Sequence, residues 1–194
     1  MKACMIIADG FEEMEAMGSY SVLNRGGVTV DLYGLKGDKA VSKHGLNVCG
    51  LKPFASFKDE DYSVIILPGG PHYKALEADE NLKKLIKDFL ASGKKIAAIC
   101  ASPTILGRMG LLKGKNYTCY TSMNEDFGGV YKGDYAVTDG NIITGKGPVA
   151  AIDFGLEVLK NLKGAQIAEE VKKECIINNF YGFVLSNFIR KINC

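Results

Sequence analysis

Residues 94–112 read KKIAAICASPTILGRMGLL, and the reading of this stretch decides the fold. Ile96 to Cys100 are apolar without interruption, as in a short buried strand. The chain then enters a helix at once, with Ser102 placed as its N-cap and Pro103 suited to the first helical position. A cysteine at such a corner has two readings. It is either one more small core residue or a nucleophile exposed on a tight strand-to-helix turn, where the first N–H groups of the helix favour the thiolate and lower its pKa.

Outward from this corner the same alternation repeats. ACMIIA (3–8), VTVDLYGL (28–35) and YSVIILPGG (62–70) read as strands. Between them, EEMEAMGSYSVLNRGG places Met14, Met17, Tyr20 or Ser21 and Leu23 at helical intervals, and ADENLKKLIKDFLASGK starts at Asp79 with Leu82, Leu85, Ile86, Phe89 and Leu90 on one face. AVSKHGLNVCG is hairpin material around Gly45. NYTCYT reads as a strand, and VYKGDYAVTDGNIITGKG as strands with a hairpin at its DGN turn. PVAAIDFGLEVLKNLKG and AQIAEEVKKEC are helices. Continuous apolar strands alternating with helices predict an α/β fold, a mostly parallel sheet covered on both faces, with hairpins making it mixed at an edge. Function in such folds gathers at the carboxyl ends of the strands. ADGFEEME, LPGGPHY, AICASP and GKGP all fall there.

The chain of 194 residues fits one well-packed domain, assigned to residues 1–175, with 176–194 as a helical C-terminal extension too rich in polar residues to span a membrane. A net charge of +2 with interspersed signs gives no reason to expect nucleic acid or a membrane surface as partner. The acidic cluster that follows the first apolar run argues against a signal peptide. Six scattered cysteines without a CxxC read as reduced thiols of a cytoplasmic protein. The two histidines, His44 and His72, lie in no metal-ligand spacing, so no metal is expected.

Two further features bear on Cys100. The Gly-Gly turn of LPGG brings bare backbone N–H groups towards a substrate oxygen, as an oxyanion hole requires; alone, it is also an ordinary flexible turn. DGFEEMEA offers Glu12, Glu13 and Glu15. Some of these stabilise a helix start, and one buried beside Cys100 would have a raised pKa and donate a hydrogen bond to the thiolate. Spacing leaves open which one does so.

Taken in order, DGFEEMEA, LPGG, AAICASPTIL and GKGPVAAIDFGLEVL resemble the ThiJ/PfpI superfamily over about residues 2–175, and most of all its branch around the Parkinson disease protein deglycase. The resemblance implies a flavodoxin-like homodimer without metal or organic cofactor. It makes Cys100 the reactive cysteine, Glu15 the acid that hydrogen-bonds its sulfur, and Gly70 with Ala101 the oxyanion-binding N–H pair. It also implies glyoxalase III-like or deglycase action on a small α-oxoaldehyde such as methylglyoxal, or on glycated thiols and amines. The alternative it implies is a redox sensor or chaperone whose cysteine is oxidised to sulfinic acid without turnover.

Two departures matter. Tyr120 stands where some members carry a histidine, and tyrosine, with an unperturbed pKa of about 10, is a poor base near neutrality. His44, where relatives can have arginine, and His72 are the other candidates for acid–base work. Ala101 stands where the peptidase members have a histidine after the cysteine, so the thiol–imidazole pair for amide attack is missing.

Overall fold

The computed structural model describes residues 1–175; the helix expected in 176–194 lies outside the described residues. In chain order the elements are β1 (Lys2–Ile7), α1 (Glu13–Arg25), β2 (Thr29–Gly34), the hairpin β3 (Lys39–Val41) and β4 (Asn47–Cys49), and β5 (Lys52–Pro53). Then follow β6 (Val64–Leu67), α2 (Tyr73–Ala78), α3 (Glu80–Ala91), β7 (Lys95–Ile99) and α4 (Pro103–Arg108). The last are β8 (Asn116–Tyr117), β9 (Val130–Tyr131), β10 (Ala136–Asp139), β11 (Ile142–Gly145), α5 (Ala151–Lys163) and α6 (Ala165–Cys175).

Seven strands form one sheet in the order β10-β11-β7-β6-β1-β2-β5. All neighbours pair in parallel except β10 with β11, which form the expected hairpin. The five central parallel strands, β2-β1-β6-β7-β11, have the 2-1-3-4-5 order of a flavodoxin-like doubly wound sheet, and the chain reverses direction across β1 and β6. Side-chain alternation sorts the core into two layers. Met5, Ile7, Ala97 and Ile99 face α1, α5 and α6, while Cys4, Ile6, Ile96 and Ala98 face α2, α3 and α4.

The helices form for the reasons their sequences suggest, with two exceptions. Asp79 caps α3 by accepting a hydrogen bond from the Leu82 N–H at 2.9 Å. Ser102 does not cap α4. Its own backbone is already helical, at φ −67° and ψ −28°, and its hydroxyl donates to the Pro68 carbonyl, tying the corner to the end of β6. In α1 the buried face is Glu15, Ala16, Ser19, Val22 and Leu23; of the expected stripe Leu23 is buried and Met17 and Tyr20 pack partly against the core, whereas Met14 is 56% exposed. Ser19 and Val22 lie against Gly155 of α5, where an added Cβ would stand 3.0 Å from Val22 Cβ. The close approach selects small residues there, and it rotates Glu15 into the interior. NYTCYT pairs as a strand only at Asn116–Tyr117. Its remainder runs inward, with the Thr118 N–H donating to the Thr144 hydroxyl and the Tyr120 N–H donating to the Cys100 carbonyl.

Candidate functional site

Cys100 closes β7 with φ at 64°, the one non-glycine residue with positive φ among the described residues. That conformation costs about 1–2 kcal/mol. The surroundings hold it on both sides: its N–H donates to the Gly145 carbonyl and its carbonyl accepts from Tyr120, each at 2.9 Å. The strained turn aims the sulfur into the crevice at the carboxyl ends of β1 and β6, where such a sheet places its ligands. Backbone N–H groups of Ala101 and Gly70 reach the sulfur. Gly70, at φ +94°, also packs so closely on the loop after β1 that a Cβ would stand 2.5 Å from the Gly10 carbonyl oxygen.

Glu15 is fully buried. Its Oε2 accepts a hydrogen bond from the Gly69 N–H at 2.7 Å. Its Oε1 has no nitrogen or oxygen partner, and the carboxyl lies beside the Cys100 thiol. Burial is the main reason the Glu15 pKa rises, to about 7, against the opposing pull of the Cys100 and Gly69 hydrogen bonds. Of the three carboxylates left open by the sequence, only Glu15 has this contact with Cys100. Glu12 instead caps α1, its Oε2 accepting from the Glu15 N–H at 2.8 Å, and Glu13 pairs with His44.

The thiol itself does not follow the expectation of a lowered pKa. Burial pushes it up, the Glu15 carboxylate pushes it further, and the Ala101 and Gly70 N–H groups pull the other way. α4 spans only Pro103–Arg108, too short for a strong dipole to offset burial. Cys100 and Glu15 thus titrate as a pair. When Glu15 holds a proton its charge no longer opposes the thiolate, and the carboxyl becomes a third hydrogen-bond donor to the sulfur.

Cys100 is 8% exposed and opens into a cavity of about 400 Å³. The walls are Ala101, Gly70, Pro71, Tyr73, Tyr120, Met123 and Pro148, with Glu12, Lys43 and Lys74 as the polar lining. Tyr120 is therefore at the site. His44 is not among the lining residues: it lies exposed in the β3–β4 hairpin, its Nδ1 2.7 Å from Glu13 Oε1. His72 is buried, and both ring nitrogens are committed. Nδ1 accepts from the Ala8 N–H at 3.1 Å, which leaves Nε2 to donate to the Pro68 carbonyl at 2.8 Å. Neither nitrogen is left for a reacting group, so His72 fastens the loop after β1 to the end of β6. The helix-start role expected for some of the three carboxylates falls to Glu12, whereas the lining lysines and the Gly69 contact with Glu15 were not singled out from the sequence. The first glycine of LPGG carried a signal for the last, since a Cβ on Gly69 would stand 2.6 Å from both Cys100 Cβ and Glu15 Oε2.

A second groove of about 410 Å³, between β10, α5 and α6, is lined largely by charged side chains and holds no nucleophile. Glu12, Glu13 and His44 bring ligand atoms within 4.8 Å of one another, but the cap on Glu15 and the Glu13–His44 pair already use one ligand atom of each. Among the described residues no helix is long and apolar enough to cross a membrane.

Burial also makes His72 an acid-sensitive point, because it lowers the His72 pKa to about 4. An ordinary unfolded histidine titrates near 6.5. Its contribution to stability is thus complete above pH 6.5 and is lost as pH falls towards 4, by about 3 kcal/mol in all. His72→Asn can keep an acceptor for the Ala8 N–H but cannot take up a proton. Urea unfolding at pH 7 and pH 4 is expected to show a smaller acid loss for the variant than for the wild type, by that amount.

Known proteins carry the same arrangement of strands. The DJ-1/PfpI family model matches residues 1–161. Protein dj-1beta of Drosophila melanogaster is 33% identical over 180 residues, which span 90% of this chain and 96% of that one. The crystal structure of Drosophila melanogaster DJ-1beta superposes with a TM-score of 0.84 at 32% identity, covering 91% of this chain and 97% of the other. A Caenorhabditis elegans protein named glutathione-independent glyoxalase DJR-1.2 is 31% identical over 165 residues, 84% of this chain and 88% of that one. The matched length, the sheet order and the identities agree, and the chain belongs to the DJ-1/PfpI family.

Proposed function

We propose that this chain is a cofactor-independent glyoxalase or deglycase, a cysteine-dependent stress-response enzyme acting on methylglyoxal or its thiol and amine adducts. The observation that carries this reading is Cys100 itself, held at φ 64° against the Glu15 carboxyl and two backbone N–H groups at the wall of a cavity. The name of the similar nematode glyoxalase supports it.

The chemistry follows from that geometry. The Cys100 thiolate adds to the aldehyde carbon of methylglyoxal, and the carbonyl electron pair moves onto oxygen. The Gly70 and Ala101 N–H groups supply the donors that such an oxyanion needs. Protonation gives a hemithioacetal. Its C1 proton then moves to C2 through an enediol, oxidising C1 and reducing C2 without an outside oxidant. Glu15, with a pKa near 7 beside the sulfur, is matched to relay this proton. Water hydrolyses the resulting lactoyl thioester to lactate and restores the thiol. Among the described residues no histidine lines the cavity, so Glu15, Tyr120 and water share the proton transfers.

The test is lactate formation from methylglyoxal by the wild-type protein, set against Cys100→Ser. An unreactive wild type would overturn the reading. The three donors around the sulfur also suit the oxygens of a sulfinate, which favours redox sensing as the second reading. Peroxide treatment followed by intact mass addresses it directly. If two oxygen atoms are not added in a Cys100-dependent way, that reading falls.

A further inference from the structure

Arg108 is the last residue of α4, the helix that begins at Pro103 just after Cys100. Its guanidinium forks onto Glu125, through Nε at 3.3 Å from Oε2 and through Nη2 to Oε1. Its Nη1 donates to both oxygens of Glu77, at 2.9 and 3.0 Å. Each carboxylate belongs to an element that walls the cavity at Cys100. Glu77 lies on α2, which contributes Tyr73 and Lys74, and Glu125 lies in the segment after Tyr120, which contributes Met123. We propose that Arg108 is a positioning residue for Cys100: it clamps α2 to the strap of residues 121–126 and so limits how widely the cavity opens. The inference rests on the reading of Cys100 as the reacting group and adds what sets access to it.

Both clamped elements are otherwise lightly held. α2 has six residues and buries only Leu76. The strap is anchored at one end by the Tyr120 N–H, which donates to the Cys100 carbonyl at 2.9 Å, and at the other by buried Phe127. Phe127 packs so closely on α4 that a Cβ on Gly107 would stand 2.3 Å from its ring. Between these anchors the strap residues are exposed, except Met123, which is partly buried. The hydroxyls of Tyr131 and Tyr117 reach Thr121 and Asn124 at 3.3 and 2.7 Å. Among the described residues that bond to the strap from outside, only Arg108 carries a charge, and it bonds to α2 as well. An isolated exposed ion pair is worth little. A guanidinium that forks onto one carboxylate and bridges to a second is the stronger case, because its planar donors fix direction as well as distance. The Arg108 hydrogen bonds also hold the Glu125 carboxyl below the usual carboxylate range, so the pair stays charged at neutral pH. The rival role for a basic residue in a last helical turn is to stabilise the helix end, and that role leaves access to Cys100 unchanged.

The test uses addition of Cys100 to maleimides, which needs no turnover. Rates for N-methylmaleimide and the bulkier N-pyrenylmaleimide are followed at Cys100 by peptide mass. Both reagents take the thiolate, so the bulky-to-small rate ratio cancels any change in thiol ionisation and reads access alone. Each exposed ion pair holds an equilibrium by roughly two- to fivefold, so Arg108→Met is expected to raise the ratio by about fivefold. Arg108→Lys, which keeps the charge but not the fork, is expected to fall between the two. Glu125→Gln, at an exposed position that does not threaten folding, should raise the ratio by about twofold in the wild type and add nothing in Arg108→Met. Salt at about 1 M should move the wild-type ratio towards that of Arg108→Met. A ratio unchanged or lowered in Arg108→Met overturns the inference. So does a Glu125→Gln effect that is the same with and without Arg108, which is what a helix-end role predicts. The enzyme reading fails separately: without methylglyoxal turnover the maleimide ratios still decide the clamp, and turnover with unmoved ratios removes only the clamp.

Discussion

Cys100→Ser is expected to lower lactate formation from methylglyoxal by at least about 10³-fold while leaving the unfolding transition close to that of the wild type. The exchange keeps the size of the side chain, the backbone bonds to Gly145 and Tyr120, and the neighbours Gly70 and Ala101. It removes the thiol, the strongest nucleophile at the cavity wall. A serine hydroxyl needs a strong base beside it to become a nucleophile, and the two histidines that could have served are elsewhere. His72 has both nitrogens on backbone partners, and His44 pairs with Glu13 in an exposed hairpin. The variant should keep the cavity and bind substrate-sized molecules without adding to them. Residual lactate formation above about one-tenth of the wild-type rate would mean that another nucleophile does the work, and the role given to Cys100 would fall.

The alternation of apolar strands and capped helices was enough to read the sheet, because its central strands β1, β6, β7 and β11 are buried on both faces and show as nearly unbroken apolar runs. The hairpins at Gly45 and at Gly140 were equally legible, since their turns need positive φ and are marked by glycine. The orientation of α1 was not. Leu23, Met17 and Tyr20 fell on the core side as expected, but close packing of Ser19 and Val22 on Gly155 left Met14 outside and Glu15 inside, and only a residue distant in sequence reveals that constraint. Ser102 and His72 misled for a related reason. Each has a side chain with a familiar local role, and each instead satisfies a backbone group some distance along the chain: Pro68 for Ser102, and both Ala8 and Pro68 for His72. Cys100 at a strand-to-helix corner was visible in the pattern. Its pairing with Glu15 came from resemblance alone, because spacing does not say which of three carboxylates a helix turns inward.

Glu15→Gln separates the part this carboxyl plays in chemistry from its cost to the fold. Glutamine has the same shape, can accept from the Gly69 N–H through its oxygen, and can donate to the Cys100 sulfur through its amide. It cannot carry a charge or transfer a proton. In the wild type the Glu15 pKa is raised to about 7, against about 4.3 for an unfolded glutamate. Between those values the folded state holds more protons than the unfolded one. The contribution of Glu15 to stability is thus fully present below pH 4.3 and is lost as pH rises through 7. The difference corresponds to about 3 kcal/mol at pH 8, and the uncharged amide does not suffer it. The variant is therefore expected to match the wild type near pH 4 and to exceed it at pH 8 by up to that amount, in urea unfolding at the two pH values. Its kcat/KM for methylglyoxal should fall by about 10²-fold or more, the usual worth of a positioned acid–base group. A dependence of the wild-type rate on an ionisation near pH 7 should vanish with it. A variant destabilised equally at both pH values would show instead that Glu15 stands ionised in the folded protein across this range. The proton relay assigned to it would then have to pass to Tyr120 or to water.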